Sequence, residues 1–339
     1  MSDEPEEKKV NGHRPVGLLH LLHPALKAAK LVPLKDVPFD VDALARSVVK
    51  VETEAIPNAI TAQTLGNRRE GSGMVIGDEL VLTIGYVILE AGTVMLTAAD
   101  GRKFAGDVIG YDYESGFGLL RAPGVKAPAL PRGDSSAVKE RDPLVAIGAG
   151  GGEFIVSTLL VSRRAFAGSW EYMLEEAFFT SPPHPAWSGA GLFDFSGKMV
   201  GLGSLFVNDA LPGSNALPGN MFIPIALLED ALPFMMGAGR LRPPRPWLGM
   251  FTVETMGHLI VTGVMTRGPA DIAGVAAGDI LVRVAGERVR TLRDLYRRVW
   301  SLGAAGVDVP VTFVRDGNAR QTVLKSIDRN RYFRLPNTH

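Results

Sequence analysis

Between about Val41 and Ile223 the chain consists of short apolar or alternating runs separated by Gly, Asp and Pro. These runs include "SVVKVET", "GSGMVIG", "LVLTI", "TVMLTA", "DVIGYD", "FGLLRA", "LVAIGA" and "KMVGLGSLFV". Side chains on a strand alternate between two faces, so short runs bounded by turn residues predict an all-β barrel or sandwich. Helical period is scarce here. "PIALLEDALPFMM", from Pro224, predicts a helix closing this domain, with proline in a plausible first turn.

Residues 237–245, within "GAGRLRPPRP", are rich in Gly, Arg and Pro and predict a semi-rigid linker. A second unit follows over residues 246–329. "GMFTVET" and "HLIVTGVM" predict strands, "PADIAGV" a short helical turn, and "DILVRVAGERV" a strand, a turn and the start of another strand. In "TLRDLYRRVWSLG", Leu292, Leu295, Tyr296, Val299 and Trp300 share one helical face, with Thr291 as N-cap and Gly303 beyond the end. "VPVTFVRDGNARQTVLKSI" predicts a hairpin turning at Asp-Gly. Residues 330–339 form a tail.

Composition narrows the chemistry. A length of 339 residues suits two or three domains. Lys+Arg and Asp+Glu both number 36, so no global field favours nucleic acid or an anionic membrane. The absence of cysteine excludes disulfides, thiolate catalysis and Cys-type zinc sites. Residues 1–43 are expected to form a flexible arm. Within it, "VGLLHLLHPALKAAKLVPL" is broken by two His, two Lys and two Pro, which makes a poor transmembrane span. The mixed charge before it makes a poor signal peptide. It is expected to pack on its own protein or a sister subunit, with export or membrane-surface attachment as the alternative. His20 and His23 share spacing i, i+3, but two ligands alone do not define a metal site. No metal and no cofactor are expected. "GAGGG", residues 148–152, lacks the Lys-Ser/Thr of a phosphate loop.

Two stretches carry a resemblance. "RPWLGM" together with "GPADIAGVAAGDILVRVAGERV" resembles a PDZ domain of the HtrA type. That resemblance implies peptide binding by β-augmentation beside "GMFTV". The terminal carboxylate would be held by the N–H groups of Leu248, Gly249 and Met250, and Leu295 and Val299 would line the side-chain pocket. Residues 44–236 resemble the trypsin-like domain of the HtrA serine proteases. "GSGMVIGDELVLTIGYVI", "DGRKFAGDVIGYDYESGFGLLRA", "LPRGDSSAVKERDPLVAIGAGGGEFIVSTLLVSRR" and "HPAWSGAGLFDFSGKMVGLGS" carry the likeness. The implied fold class is mainly β: a trypsin-like double antiparallel β-barrel followed by a PDZ domain.

The resemblance places a catalytic histidine where Tyr86 stands, an orienting aspartate where Gly116 stands, and the nucleophile at Ser188. It places an oxyanion N–H at Ala186, with Trp187 next to it. A serine nucleophile needs a base, and the base needs an orienter. The histidines are His13, His20, His23, His184, His258 and His339, and none falls in the first barrel. Tyrosine, with an unperturbed pKa near about 10, is a poor substitute base. His184, four residues before Ser188, is either an unconventional base or a packed loop residue. Asp112 and Asp134 are expected to anchor turns.

Three readings follow. The leading one is an HtrA-like protease homologue that binds polypeptides or protein C-termini without cutting them, as scaffold, regulator or chaperone. The second is an active endopeptidase using Ser188 with a non-standard base such as His184. The third is an assembly subunit whose domains serve oligomer contacts. The resemblance implies a homo-oligomer, a trimer or a multiple of one. It also implies a compartment outside the cytoplasm, whereas the N-terminal composition favours the cytoplasm.

Overall fold

A computed structural model describes residues 31–213, 216–237 and 242–333. The described part is mainly β. Six strands close the first barrel: β1 (Val48–Ala55), β2 (Arg68–Gly77), β3 (Leu80–Ile84), β4 (Ala91–Thr97), β5 (Lys103–Tyr111) and β6 (Phe117–Arg121), in the order β1-β2-β3-β6-β5-β4. Every pairing is antiparallel, and register is fixed by the apolar face: Met74 lies opposite Leu82, and Leu82 opposite Leu119. Val49, Val51, Met74, Leu82, Leu96 and Leu119 are fully buried. A one-residue slip would turn that whole set toward solvent.

The second barrel repeats the arrangement with β7 (Pro143–Ile147), β8 (Ile155–Gly168), β9 (Tyr172–Ser181), β10 (Gly191–Phe193), β11 (Met199–Val207) and β12 (Gly219–Pro224), in the order β10-β11-β12-β9-β8-β7. Leu144, Ala146, Leu160, Phe178, Leu192, Val200 and Phe222 form its core cluster. Closure leaves no unpaired strand edge in either barrel. The closing helix expected from Pro224 begins as a 3-10 turn, Ile225–Leu227, and continues as an α-helix over Leu228–Met235. It buries Leu228, Ala231 and Met235, the i, i+3, i+7 stripe.

The last sheet contains β13 (Met250–Thr255), β14 (His258–Val264), β15 (Ile280–Val284), β17 (Asp308–Arg315) and β18 (Asn318–Lys325) in that order, with β16 (Glu287–Arg288) paired to β15. The β17–β18 turn falls at Asp316 and Gly317, both with positive φ (52° and 74°), as a tight hairpin of this kind requires. The helix over Leu292–Trp300 starts at a complete capping box, Thr291 with Asp294, and buries Leu292, Leu295, Tyr296 and Val299.

The chain divides into two compact units. One takes Arg164 and the residues before it together with Glu176–Arg240. The other takes Ala165–Glu175 and Leu241–Arg334. The turn joining β8 to β9 therefore belongs with the PDZ-type sheet.

Candidate active site and peptide groove

Strand β3 ends at Ile84, and one helical turn, α1 (Gly85–Ile88), follows it. Tyr86 sits on this turn. The Gly85 N–H donates to the Gly116 carbonyl at 2.8 Å. The C-terminal side of the turn is held by Arg69, whose guanidinium donates to the carbonyl of Tyr86 at 3.2 Å and to that of Leu89. Arg69 also donates to Thr61 Oγ1 at 2.7 Å, and that hydroxyl donates to Glu90 Oε2 at 2.7 Å. Arg69 is 4% exposed and Glu90 fully buried, so these charges are satisfied inside the barrel. Tyr86 is thus carried on a clamped backbone.

Ser188 precedes β10 in a loop stitched by backbone bonds. Its carbonyl accepts from the Ser72 N–H at 2.7 Å, and the next residue, Gly189, donates to the Gly203 carbonyl at 2.9 Å. These bonds bring Ser188 to Tyr86 across 102 positions of sequence. Tyr86 Oη lies 2.7 Å from Ser188 Oγ and 2.8 Å from the Ser204 carbonyl. A phenol has one proton to donate, and a carbonyl can only accept. Tyr86 therefore donates to Ser204, and the Ser188 hydroxyl donates to Tyr86. Burial raises the Tyr86 pKa above its ordinary value, opposed in part by the Ser188 bond. The phenol stays neutral, and a neutral phenol oxygen is a feeble proton acceptor.

Gly116 lies beside this turn but offers no side chain. Its φ is +88°, and its N–H donates to the Asp112 carbonyl at 2.7 Å. Asp112 in turn accepts from the Ser115 N–H at 3.1 Å and the Ser115 hydroxyl at 2.6 Å, which builds the tight loop before β6. Asp134 does the same for Ser136.

His184 is 1% exposed. Its Nδ1 accepts the Ala186 N–H at 3.1 Å, which leaves the ring proton on Nε2, 2.9 Å from the Phe154 carbonyl. Burial lowers its pKa to about 4. Both ring nitrogens are engaged with backbone groups, and the Ala186 N–H is engaged with the imidazole. Trp187 is 9% exposed and its ring sits 5.6 Å from that of Phe206.

In the second unit, Gly249 adopts φ +74° between Leu248 and Met250. This conformation is easy only for glycine, and it turns the flanking amides to one side. The N–H groups of Leu248 and Met250 donate to Glu171 Oε2 and Oε1, each at 2.9 Å. Leu295 and Val299, with Leu248 and Met250, belong to one buried cluster that also contains Met173.

The sequence-based candidates thus fall into two groups: Tyr86, Gly116, Ala186 and Ser188 in the first unit, and Leu248, Gly249, Met250, Leu295 and Val299 in the second. Ser204, Arg69 and Glu171 were not singled out by the sequence. Ser204 acts through its backbone, which leaves no sequence mark, while Arg69 and Glu171 resemble ordinary surface charges until the chain is folded. No cluster of three metal-ligating side chains occurs among the described residues. No described helix is long and apolar enough to cross a membrane. His13, His20, His23 and His339, and residues 1–30 of the expected arm, lie outside the described residues.

Paired six-stranded barrels with a serine loop before β10, joined to a PDZ-type sheet, define a trypsin-like protease fold. Residues 71–202 match the trypsin-like peptidase domain, and residues 260–311 match the PDZ domain. A probable periplasmic serine endoprotease, DegP-like, of Pseudomonas fluorescens is 28% identical over 269 residues, covering 75% of this chain and 55% of that protein. Its counterpart in Hahella chejuensis is 28% identical over 240 residues, covering 66% of this chain and 50% of that protein. The chain spans about half the length of these relatives. Among solved structures, the HtrA-type protease AlgW with a decapeptide is similar at TM-score 0.52 and 20% identity, covering 87% of this chain and 98% of that one. The serine endoprotease from Yersinia pestis is similar at TM-score 0.50 and 21% identity, covering 85% and 96%. These likenesses are to the fold. The chain carries a trypsin-like peptidase domain and a PDZ domain, and this pairing, with the DegP-like relatives, supports a member of the HtrA-type protease family.

Proposed function

We propose that this chain is a proteolytically silent HtrA homologue that binds polypeptides, through its PDZ groove and its former substrate cleft, as scaffold, regulator or chaperone. The observation that carries the reading is the Ser188–Tyr86–Ser204 chain of hydrogen bonds. Nucleophilic attack by a serine requires a base that takes its proton in the transition state. Here the proton points to a neutral phenol whose own proton is committed to a carbonyl. No carboxylate stands at Gly116 to orient or stabilise a cation. The Ala186 N–H, which would have to meet a developing oxyanion, is turned to His184.

His184 as an alternative base gains no support, since both ring nitrogens are already bonded. Polypeptide as the ligand class is supported by the PDZ match and by AlgW having been solved with a decapeptide. Homo-oligomer formation, a trimer by family resemblance, is part of the same proposal and is read by light scattering.

The test is incubation of the full chain with unfolded casein beside Ser188→Ala, with fragments counted by mass spectrometry. The expected result is the same background in both, with casein retained on the immobilised protein. Cleavage by the native chain that Ser188→Ala abolishes would overturn the reading.

A further inference from the structure

The turn between β8 and β9, "AGSWEYM", reproduces in this chain's own sequence what a peptide C-terminus would present to the PDZ groove. A terminal carboxylate offers two oxygens to the amides of the glycine-centred loop. Glu171 offers the same two, one to Leu248 N–H and one to Met250 N–H, each at 2.9 Å. A bound peptide also adds main-chain bonds beside β13. Here the Ser169 carbonyl accepts from the Thr252 N–H of β13 at 2.9 Å. A bound peptide inserts an apolar side chain near the groove helix. Met173, 6% exposed, belongs to the same buried cluster as Leu295 and Val299.

Further contacts hold the turn in place. Tyr296 Oη, from the groove helix, donates to the Gly168 carbonyl at 2.6 Å and accepts from the Glu171 N–H at 3.2 Å, so one hydroxyl bridges both sides of the turn. Beyond the turn, in β9, Glu175 pairs with Arg297. Glu171 itself has φ +56°, a conformation that glycine adopts freely and a glutamate does not. A glycine there would relieve the backbone and lose the carboxylate. Burial pushes the Glu171 carboxyl above the usual range, and the amides of Met250 and Leu248 pull it back only in part.

We propose that the β8–β9 turn is a resident ligand of the PDZ groove, with Glu171 standing in for a C-terminal carboxylate, so that peptides ending in a free carboxylate bind only by displacing it. The inference rests on reading the groove as a carboxylate site, and it is independent of whether Ser188 is silent. Apparent affinity for an outside peptide is the intrinsic affinity reduced by the fraction of molecules with an open groove.

The test uses the full chain, native and with Glu171→Ala or Glu171→Gln, and has two readouts. The first is fluorescence anisotropy with a set of labelled decapeptides ending in Ala, Val, Leu or Phe, each with a free or amidated C-terminus. Glu171→Ala is expected to bind the free-carboxylate set at least tenfold tighter than the native chain, with the amidated set unimproved. The second is amide hydrogen exchange at Leu248 and Met250, which Glu171→Ala should accelerate at least tenfold with no peptide present. Equal affinity in native and variant chains, or unchanged exchange at both amides, overturns the inference. If no peptide binds any of the proteins while exchange accelerates in the variant, the resident contact stands and the peptide-binding function falls. Should Glu171→Ala unfold, Glu171→Gln, which keeps the shape and one acceptor, is read in the same two ways.

Discussion

The backbone N–H of Ala186 donates to Nδ1 of His184 across 3.1 Å, inside the loop that carries Ser188. The contact fixes the imidazole as a neutral ring protonated on Nε2, and it occupies the amide to which the proposed reading assigns the oxyanion position. It also makes His184 a stability element with a definite pH signature.

The His184 pKa is lowered to about 4 by burial, against 6.5 for the free side chain. Between those values the unfolded chain binds a proton that the folded chain does not. The contribution of His184 is therefore complete above about pH 6.5 and is lost as pH falls through about 4, a span of about 3 kcal/mol. Urea unfolding from pH 4 to pH 7 should show stability rising with pH. In His184→Gln that slope should shrink by about this amount, and stability at pH 7 should also fall by about 1–3 kcal/mol for the lost bonds. An unchanged slope would remove the buried neutral imidazole from the account.

Tyr86→Phe deletes the hydroxyl that joins Ser188 to the Ser204 carbonyl. Two buried polar groups lose a hydrogen bond, so the variant should lose about 1–3 kcal/mol. It should gain no proteolytic activity, because removing the phenol supplies no base. Chemical denaturation and a casein assay check both halves.

Restoring Tyr86→His and Gly116→Asp together should leave kcat/KM at least about 10²-fold below that of an active HtrA protease. The Ala186 N–H would still face His184. The aspartate would also inherit a backbone at φ +88°, where a side chain costs about 1–2 kcal/mol. Rates matching an active relative would show that the oxyanion site forms after all.

Arg69→Met should destabilise the first unit by about 3–5 kcal/mol, because it removes the cation beside buried Glu90, which keeps its bonds from Thr61, and takes a donor from the carbonyls of Tyr86 and Leu89. Thermal unfolding measures this. A loss below about 1 kcal/mol would mean that the clamp under Tyr86 is weak.

Much of the fold was legible because local signals and burial agree. Thr291 and Asp294 form the capping box that opens the helix at Leu292, and Asp316-Gly317 turns the last hairpin where the sequence places it. The strands around Met74, Leu82 and Leu119 follow the alternation of their apolar residues. The identities of Tyr86, Gly116 and Ser188 were visible only as positions within a family frame. The partner of Tyr86 was not, since Ser204 contributes only a carbonyl; His184 stood out in the sequence as a base or a packed loop residue, and folding sets its Nδ1 against the Ala186 N–H. Glu171 was hidden for a physical reason: a glutamate between Trp170 and Tyr172 in a turn looks solvated, and only folding sets it against the amides of Leu248 and Met250.

In the proposed reading the Ser188 hydroxyl is held by Tyr86 but not activated. The most direct test of that reading is reaction of the purified full chain with a fluorophosphonate probe at neutral pH, read by intact mass and peptide mapping. No adduct at Ser188 is expected under conditions that label an active HtrA protease to completion. A stoichiometric adduct on Ser188 would contradict the reading.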